Sequence, residues 1–452
     1  MREFEKLKLT VNDCRAVNSA AIEIGDITVL SGVNASGKST LAHLVHSLIN
    51  LNREYKNLAL EIACREIGRV QWRTRKFRER LFDALDERND VIFRRIADTA
   101  LSLDRQQELN TVEMRVNALV GEFNLATSGY EKLQRKDPER ADRLLNAFVA
   151  ELRLPEDVKP DLSCIRKWID NVVFSAGEEY GKLMKDRRSN VWRVANSKAL
   201  RWIQYPGHVE LKEGEVSVYD SDRADGRIVE ILNIDHAFYI ESPWQNMPDV
   251  GRDGRLSIND GFDFFPSEED FTPDETLFAA LGGNVVDNKD KLEGAVQPRL
   301  PYGVHMWAFK RTDGRGEYPL DECATGIRAF SILNFLYTRN LLNNRTLLVV
   351  DEPEAHLHPQ WILEYAKVLV RLNRNLGVRL LLTTHSPDML NAIRRVANVE
   401  EVPDLMFYLA RNNDLSKSLK YDYEALGRNV EPIFKAFNMA ADRTEAYPLD
   451  EP

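Results

Sequence analysis

No apolar run in this 452-residue chain approaches the roughly 20 residues that a membrane-spanning helix needs. The opening Met1-Arg-Glu-Phe-Glu-Lys6 is charged at once and lacks the apolar core of a secretory signal, so the sequence predicts a cytoplasmic protein without membrane contact. Cysteine is scarce as well. Cys14, Cys64, Cys164 and Cys323 stand far apart, with no C-x-x-C spacing and no histidine pair spaced with them as a zinc site needs, which leaves ordinary reduced thiols. Internal repeats and low-complexity linkers are also missing. With 43% hydrophobic and 29% charged residues, the composition excludes both disorder and a coiled-coil rod, and the length allows one large composite domain or several ordinary ones.

An excess of cations is lacking too. The formal net charge of -10 argues against a surface coated in nucleic-acid contacts. The average hides an asymmetry, because residues 52–205 hold 30 Lys and Arg against 25 Asp and Glu while the remainder is strongly acidic.

Four textures follow one another along the chain. Residues 1–50 read as strand, turn, strand, loop and helix, with Asp26-Ile-Thr-Val-Leu-Ser31 running into a glycine loop and then Thr40 to Ile49. Residues 51–205 turn helical, polar and charge-mixed, with apolar residues three and four apart, and predict a helical insertion. Residues 206–300 are β-rich, with alternating stretches at Gly214–Tyr219 and Ala237–Ile240 broken by Asp225-Gly226 and Asp253-Gly254 turns. Within them, residues 260–275 are acidic and aromatic and predict a surface loop or lid. From 301 to 452 apolar strands alternate with amphipathic helices, and Thr346–Val350, Trp361–Leu376 and Val378–Thr383 form a βαβ unit. Such units place their strands parallel and gather ligand sites at the strands' carboxyl ends.

The chemistry concentrates at three such ends. Gly32-Val-Asn-Ala-Ser-Gly-Lys-Ser39 fits G-x-x-x-x-G-K-[ST] between a predicted strand and a predicted helix, the context of a Walker A loop. Gly32, Asn34, Gly37 and Thr40 would help wrap phosphates in backbone N–H groups, Lys38 would place its charge on them, and Ser39 would ligate Mg²⁺. The bland alternative is a glycine turn opening a helix. Thr346-Leu-Leu-Val-Val-Asp-Glu352 ends an apolar strand in two carboxylates, Asp351 for Mg²⁺ and Glu352 for the attacking water; an exposed Asp-Glu turn is its alternative. Thr383-Thr-His385 follows the next strand at the same sheet edge, which brings His385 toward the γ-phosphate, although a lone histidine there is commonly structural. Asp220–Gly226 has the wrong spacing for a calcium loop and predicts a hairpin turn, and Asn288-Lys-Asp-Lys291 lacks the aspartate that would read guanine, so ATP is the default.

Lys38, Asp351-Glu-Pro-Glu-Ala-His-Leu-His-Pro359 and His385 together resemble the ABC ATPases of the RecF/SMC/OLD-like branch, whose head is split by a long insertion. The resemblance covers residues 1–50 and 300–452, and more weakly Tyr239–Pro243. It implies an α/β P-loop NTPase with an ABC ATPase head, a mixed sheet core with a β-rich N-terminal part, and ATP with Mg²⁺ as ligands. It implies a homodimer or higher oligomer around a nucleotide sandwich, in which a signature loop meets the partner's γ-phosphate. Cys323-Ala-Thr-Gly-Ile-Arg328 stands at the signature position, where Ala324-Thr325-Gly326 replaces the usual Ser-Gly-Gly or Ser-Ser-Gly and the hydroxyl would come from Thr325, implying a slow or partner-stimulated ATPase; a plain Thr-Gly helix start is the alternative. His358, where transporters carry aspartate, disfavours a transporter motor. The Mg²⁺-sensing glutamine is not placed, with Gln245 and Gln71 as candidates, and Arg15 is a candidate for reaching the nucleotide from the first β-turn.

The resemblance further extends to stand-alone ATPase subunits of bacterial anti-phage systems (PARIS-, Septu- or retron-associated), because the 67 residues after His385 leave no room for an appended nuclease. The implied partner is a separately encoded effector such as a nuclease. Two alternatives stand beside it: a RecF-like DNA repair or recombination ATPase, and an ATP-stabilised scaffold with little turnover. Arg69–Arg80 mixes six cations with Trp72 and Phe77, a composition suited to nucleic acid and equally to a solvated helix face.

Overall fold

A computed structural model describes residues 6–85, 112–155, 159, 161–185, 207–222, 233–241, 249–250, 256–258, 262–264, 277–278, 282–287, 307–355, 357–412 and 420–436. The acidic-aromatic stretch 260–275 for the most part, the glycine turns at 225–226 and 253–254, residues 288–291, Gln245 and His356 lie outside the described residues.

The chain divides into two compact units, one of residues 1–52, 196–250 and 256–452, the other of residues 53–195 and 251–255. The first is mixed α/β, as expected. Its strands are β1 (Leu7–Cys14), β2 (Val17–Ile24), β3 (Ile27–Ser31), β4 (His208–Glu213), β5 (Val216–Asp220), β6 (His236–Glu241), the short β7 (Asp249–Val250), β8 (Leu256–Ile258) and β9 (Phe262–Phe264), β10 (Gly283–Asp287), β11 (Trp307–Arg311), β12 (Glu317–Pro319), β13 (Thr346–Asp351), β14 (Arg379–Thr384), β15 (Leu405–Arg411) and β16 (Tyr421–Gly427). Ten of them make one sheet in the order β5-β4-β1-β2-β16-β15-β3-β14-β13-β6. The strands β6, β13, β14, β3 and β15 run parallel, whereas β1 pairs antiparallel with β2 and β4.

The parallel half is buried on both faces, which is why its strands read as unbroken apolar runs: every residue of β3, β13 and β14 is buried. The helix α1 (Lys38–Ala63) follows β3, and later come α6 (Thr325–Thr338), α7 (Pro359–Leu376) and α8 (Pro387–Val399), while α2 (Arg65–Leu85), α3 (Val112–Lys136), α4 (Pro138–Leu152) and α5 (Leu162–Lys185) make up the second unit. Helix α7 starts at Pro359 with His358 as its N-cap and ends on Gly377 in the left-handed region, φ 73°. It supplies the crossover that makes β13 and β14 parallel neighbours.

Register then does the positioning. Ser31 pairs with Thr384 and Asp351 pairs with Thr383, so the ends of β3, β14 and β13 lie side by side on one edge.

In the second unit α2, α3, α4 and α5 close over a core of Phe77, Leu81, Phe123, Leu145, Phe148 and Ile165. The Phe77 and Phe148 rings stack 4.3 Å apart. No helix among the described residues is long and apolar enough to cross a membrane.

Candidate functional site

The loop after β3 wraps a cavity of about 260 Å³ lined by residues 34–40, Arg15, Ala16 and Glu352. Its backbone is built for close approach. Gly37 takes φ +95°, and a Cβ there would fall 2.6 Å from Val17 Cγ2; a Cβ on Gly32 would fall 2.7 Å from that of Ala410. Ala35 accepts φ +62° without being glycine. Helix α1 begins on this loop with no acidic residue in its first turn, so its N-terminal N–H groups and dipole face the cavity without an internal counter-charge. From β16, two places from β3 in the same sheet, Tyr423 donates to the carbonyl of Ser36 at 3.3 Å and braces the loop.

Lys38 is 4% exposed. Its ammonium donates to the carbonyls of Gly32 at 3.0 Å and Val33 at 2.9 Å, both in its own loop. Burial pushes its pKa down, and the nearby Glu352, Asp351 and Glu354 carboxylates oppose that shift. The acids thus hold a cation in a buried place.

Asp351 ends β13 inside a ring of hydroxyls. Ser39 Oγ donates to Oδ1 at 3.1 Å, Thr383 Oγ1 makes a very short hydrogen bond to the same oxygen, and Tyr239 on β6 donates to Oδ2 at 2.7 Å. Two strands and one helix therefore converge on a carboxylate that a third strand carries.

Glu352, one residue on, has left-handed backbone, φ +51°, a strained state for this residue type. Its N–H donates to both the carbonyl and the hydroxyl of Thr383, each at 3.1 Å, and these bonds hold the turn. The turn aims the carboxylate at His385, whose Nδ1 lies 3.3 Å from Glu352 Oε1. The geometry is too bent for an aligned hydrogen bond, since Nδ1 has no hydrogen-bond partner. Glu354 accepts from Thr384 Oγ1 at 2.7 Å and from the His385 N–H at 3.1 Å.

Lys38, Ser39, Asp351, Glu352 and His385 thus come together at one sheet edge, with Asn34, Gly37 and Thr40 lining the cavity and Gly32 beneath it. Arg15, on the β1–β2 turn, lines the same cavity. Thr325 and Gly326 do not: they open α6 after Ala324, an N-cap without a side-chain bond, and Gly326 packs near Leu357. His358 caps α7, its Nδ1 accepting the Gln360 N–H at 3.4 Å, and Gln71 sits in mid-α2 of the other unit. Glu354 and Tyr239 fall within the Asp351–Pro359 and Tyr239–Pro243 stretches of the resemblance, but the sequence assigns neither a role, and Tyr423 stands in no motif. Only strand pairing reveals them, since Tyr239 sits on β6 beside β13 and Glu354 faces the end of β14.

The donor set fits a polyphosphate with a hard cation. A loop of N–H groups and a buried ammonium suit phosphate oxygens, and a hydroxyl 3.1 Å from a carboxylate gives two oxygen ligands of the kind Mg²⁺ prefers. On α2, by contrast, Arg75 and Arg78 both bind Glu122, Arg69 pairs with Glu66, Arg80 with Glu151, Arg73 donates to the Leu152 carbonyl, and Lys76 sits 3.8 Å from the centre of the Trp72 ring. All six cations of that run have partners within the protein.

The profile of the family described as "AAA domain, putative AbiEii toxin, Type IV TA system" matches residues 65–391, well over half of the chain. A macrolide export ATP-binding/permease protein, MacB of Syntrophobacter fumaroxidans, is 29% identical over 121 residues, which is 26% of this chain and 15% of that protein. The chain therefore spans only a small part of that relative's length. Among solved structures, the Smc head domain of Pyrococcus furiosus bound to the C-terminal domain of ScpA has a TM-score of 0.33 at 11% identity, covering 98% of this chain and 99% of that one. The Smc head of Pyrococcus yayanosii with a coiled coil and joint has 0.34, also at 11%, with the same shares covered.

Proposed function

The chain belongs to this AAA-domain family of ABC-like ATPases, and on that premise we propose that it binds ATP with Mg²⁺ and hydrolyses it between two copies of itself. The observation that carries the reading is the convergence on Asp351 and Glu352: Ser39, Thr383 and Tyr239 on the first carboxylate, His385 against the second, beside the loop that buries Lys38.

In this reading, residues 32–40 hold the triphosphate and Lys38 exchanges its two loop carbonyls for phosphate oxygens. Ser39 and Asp351 would hold Mg²⁺, which supplies charge neutralisation on the phosphates. Glu352 accepts the proton of the attacking water, and its fixed turn keeps the carboxylate from swinging away. His385, beside Glu352, offers a donor to the transferring phosphate. Thr325 and Gly326, which lie off the cavity, serve a second copy's nucleotide, so a single chain has an incomplete site.

Biologically, the reading is an ATP-gated subunit that controls a separately encoded toxic effector, a nuclease in anti-phage defence. The family description, which names a toxin–antitoxin system, supports the link to a toxic activity, and the separate effector is the part of the reading that the partner experiment has to supply. The pairing of the α2 cations within the protein favours it over a RecF-like DNA-loading role.

The test is the mass of the purified protein with and without Mg-ATP, together with phosphate release, for wild type, Lys38→Ala and Glu352→Gln. The expected result is a Glu352→Gln assembly that forms only with ATP, and loss of turnover in both variants. A wild type that neither assembles nor turns over with Mg-ATP would sink the proposal for the isolated chain. Full partner control by Glu352→Gln without turnover would turn the reading into an ATP-stabilised scaffold.

A further inference from the structure

Glu354 is unusual within this site. Its side chain is 7% exposed, and one oxygen does all the bonding: Oε1 accepts from the Thr384 hydroxyl and the His385 N–H and lies 3.5 Å from His385 Nδ1. The other oxygen, Oε2, is buried without a hydrogen-bond partner. Burial pushes the carboxyl above the usual carboxylate range, against the hydrogen bonds from Thr384 and His385. A buried carboxyl with an unused oxygen is costly to keep for packing alone.

The imidazole stands between two acids. Nδ1 is 3.3 Å from Glu352 Oε1 and 3.5 Å from Glu354 Oε1, and it is aligned with neither. A single Nδ1–H can serve one acceptor fully. If it turns to Glu352, the carboxylate that should take the water's proton is occupied; if it turns to Glu354, Glu352 is released. The charged groups facing this pair are Glu352 on the same turn and, across the loop, Lys38, whose ammonium senses both glutamates and Asp351.

We propose that Glu354 is the positioning residue for His385: it clamps the 384–385 backbone and draws Nδ1–H away from Glu352, leaving Glu352 free to act on water. This rests on the reading that Glu352 and His385 serve ATP hydrolysis. Glu354 itself touches no substrate, and its action passes through the imidazole.

The test compares Glu354→Ala and Glu354→Gln in the full chain, alone and combined with His385→Ala, reading kcat, KM and the affinity for a fluorescent ATP analogue. Glu354→Ala is expected to lower kcat at least tenfold with nucleotide affinity within about twofold of wild type. Glutamine, whose Oε1 still accepts from Thr384, the His385 N–H and Nδ1–H, is expected to restore most of kcat. In the His385→Ala background, Glu354→Ala should add nothing. A readout free of turnover accompanies these: the rate of carbethoxylation of His385, followed by mass spectrometry in nucleotide-free protein, should change several-fold in Glu354→Ala and return in Glu354→Gln. Unchanged kcat and unchanged His385 modification would overturn the proposal, as would parallel loss of ATP affinity and kcat, or full additivity with His385→Ala. Glu352→Gln separates the two levels. If it still turns over at the wild-type rate, the hydrolysis reading fails; if it is inactive while Glu354→Ala behaves as wild type, only the role of Glu354 fails.

Discussion

In the helical unit a buried cation meets its anion squarely: Arg78 and Glu122 are each 8% exposed and 2.7 Å apart, and Arg75 adds a second guanidinium to the same carboxylate. At the nucleotide edge of the α/β unit, buried polar groups are left partly unmatched. Lys38 is held by carbonyls, Glu354 Oε2 has no partner, and Glu352 stands on strained backbone. The difference separates polarity that serves the fold from polarity that serves a reaction. Where a charge only has to be tolerated, pairing and packing complete it; where a site must accept an incoming group, capacity is kept open and rigid neighbours hold the strain.

The contrast can be broken by mutation, beginning with the largest effect. Glu352→Gln should cut phosphate release by about 10²–10⁴-fold, the span of general-base catalysis, while leaving thermal stability close to wild type. A loss of folding instead would place Glu352 on the structural side. Glu122→Ala strands two guanidinium groups, one of them buried, and should destabilise the helical unit by about 3–5 kcal/mol in denaturant melts. A cost below about 1 kcal/mol would show that water reaches Arg78 after all.

Gly37→Ala comes next. It forces a side chain into left-handed backbone and against Val17, so nucleotide affinity should drop by about tenfold, equivalent to about 1.4 kcal/mol, with the fold retained. Asp26→Asn tests the sheet beneath the site. Burial raises the Asp26 carboxyl above 3.8, so the folded chain holds that proton after the unfolded chain has lost it. Stability from this group is therefore present at low pH and declines as pH rises from about the unfolded value through the folded one. Asparagine should flatten that slope and leave the variant more stable than wild type at neutral pH; an unchanged slope in melts across pH 3–7 would reject the assignment. Smallest of all, Trp72→Ala, at a ring 56% exposed and covered by Lys76, should shift stability by no more than about 0.5 kcal/mol.

The sequence was most informative where local pattern and chemistry coincide. The strand–loop–helix around Lys38 and the unit β13–α7–β14 were legible because unbroken apolar runs mark strands buried on both faces and because the motif residues sit at their carboxyl ends. The mixed α/β class followed from the same alternation. Tyr239 and Glu354 were not legible in that way, since a tyrosine two residues from a strand end and a glutamate in a turn gain meaning only through the neighbouring strand. The cations of Arg69–Arg80 show the reverse case: composition suggested a phosphate-binding face, but the partners that occupy those charges, Glu122 and Glu151, come from helices distant in sequence. The signature position illustrates a third case. In the proposed sandwich Thr325 and Gly326 meet a nucleotide held by a second copy, a surface that a single sequence does not spell out.

The rest position of Lys38 has a thermodynamic consequence. Its ammonium is already dehydrated and already bonded to the carbonyls of Gly32 and Val33. Nucleotide capture is then a swap of ligands around a fixed cation, and most of the dehydration cost of that charge belongs to folding. The net gain at this residue is the difference between phosphate and carbonyl oxygens as acceptors, so a ligand that offers only a weak anion should gain little from the lysine. The loop is in effect a filter whose threshold is set by two of its own peptide groups.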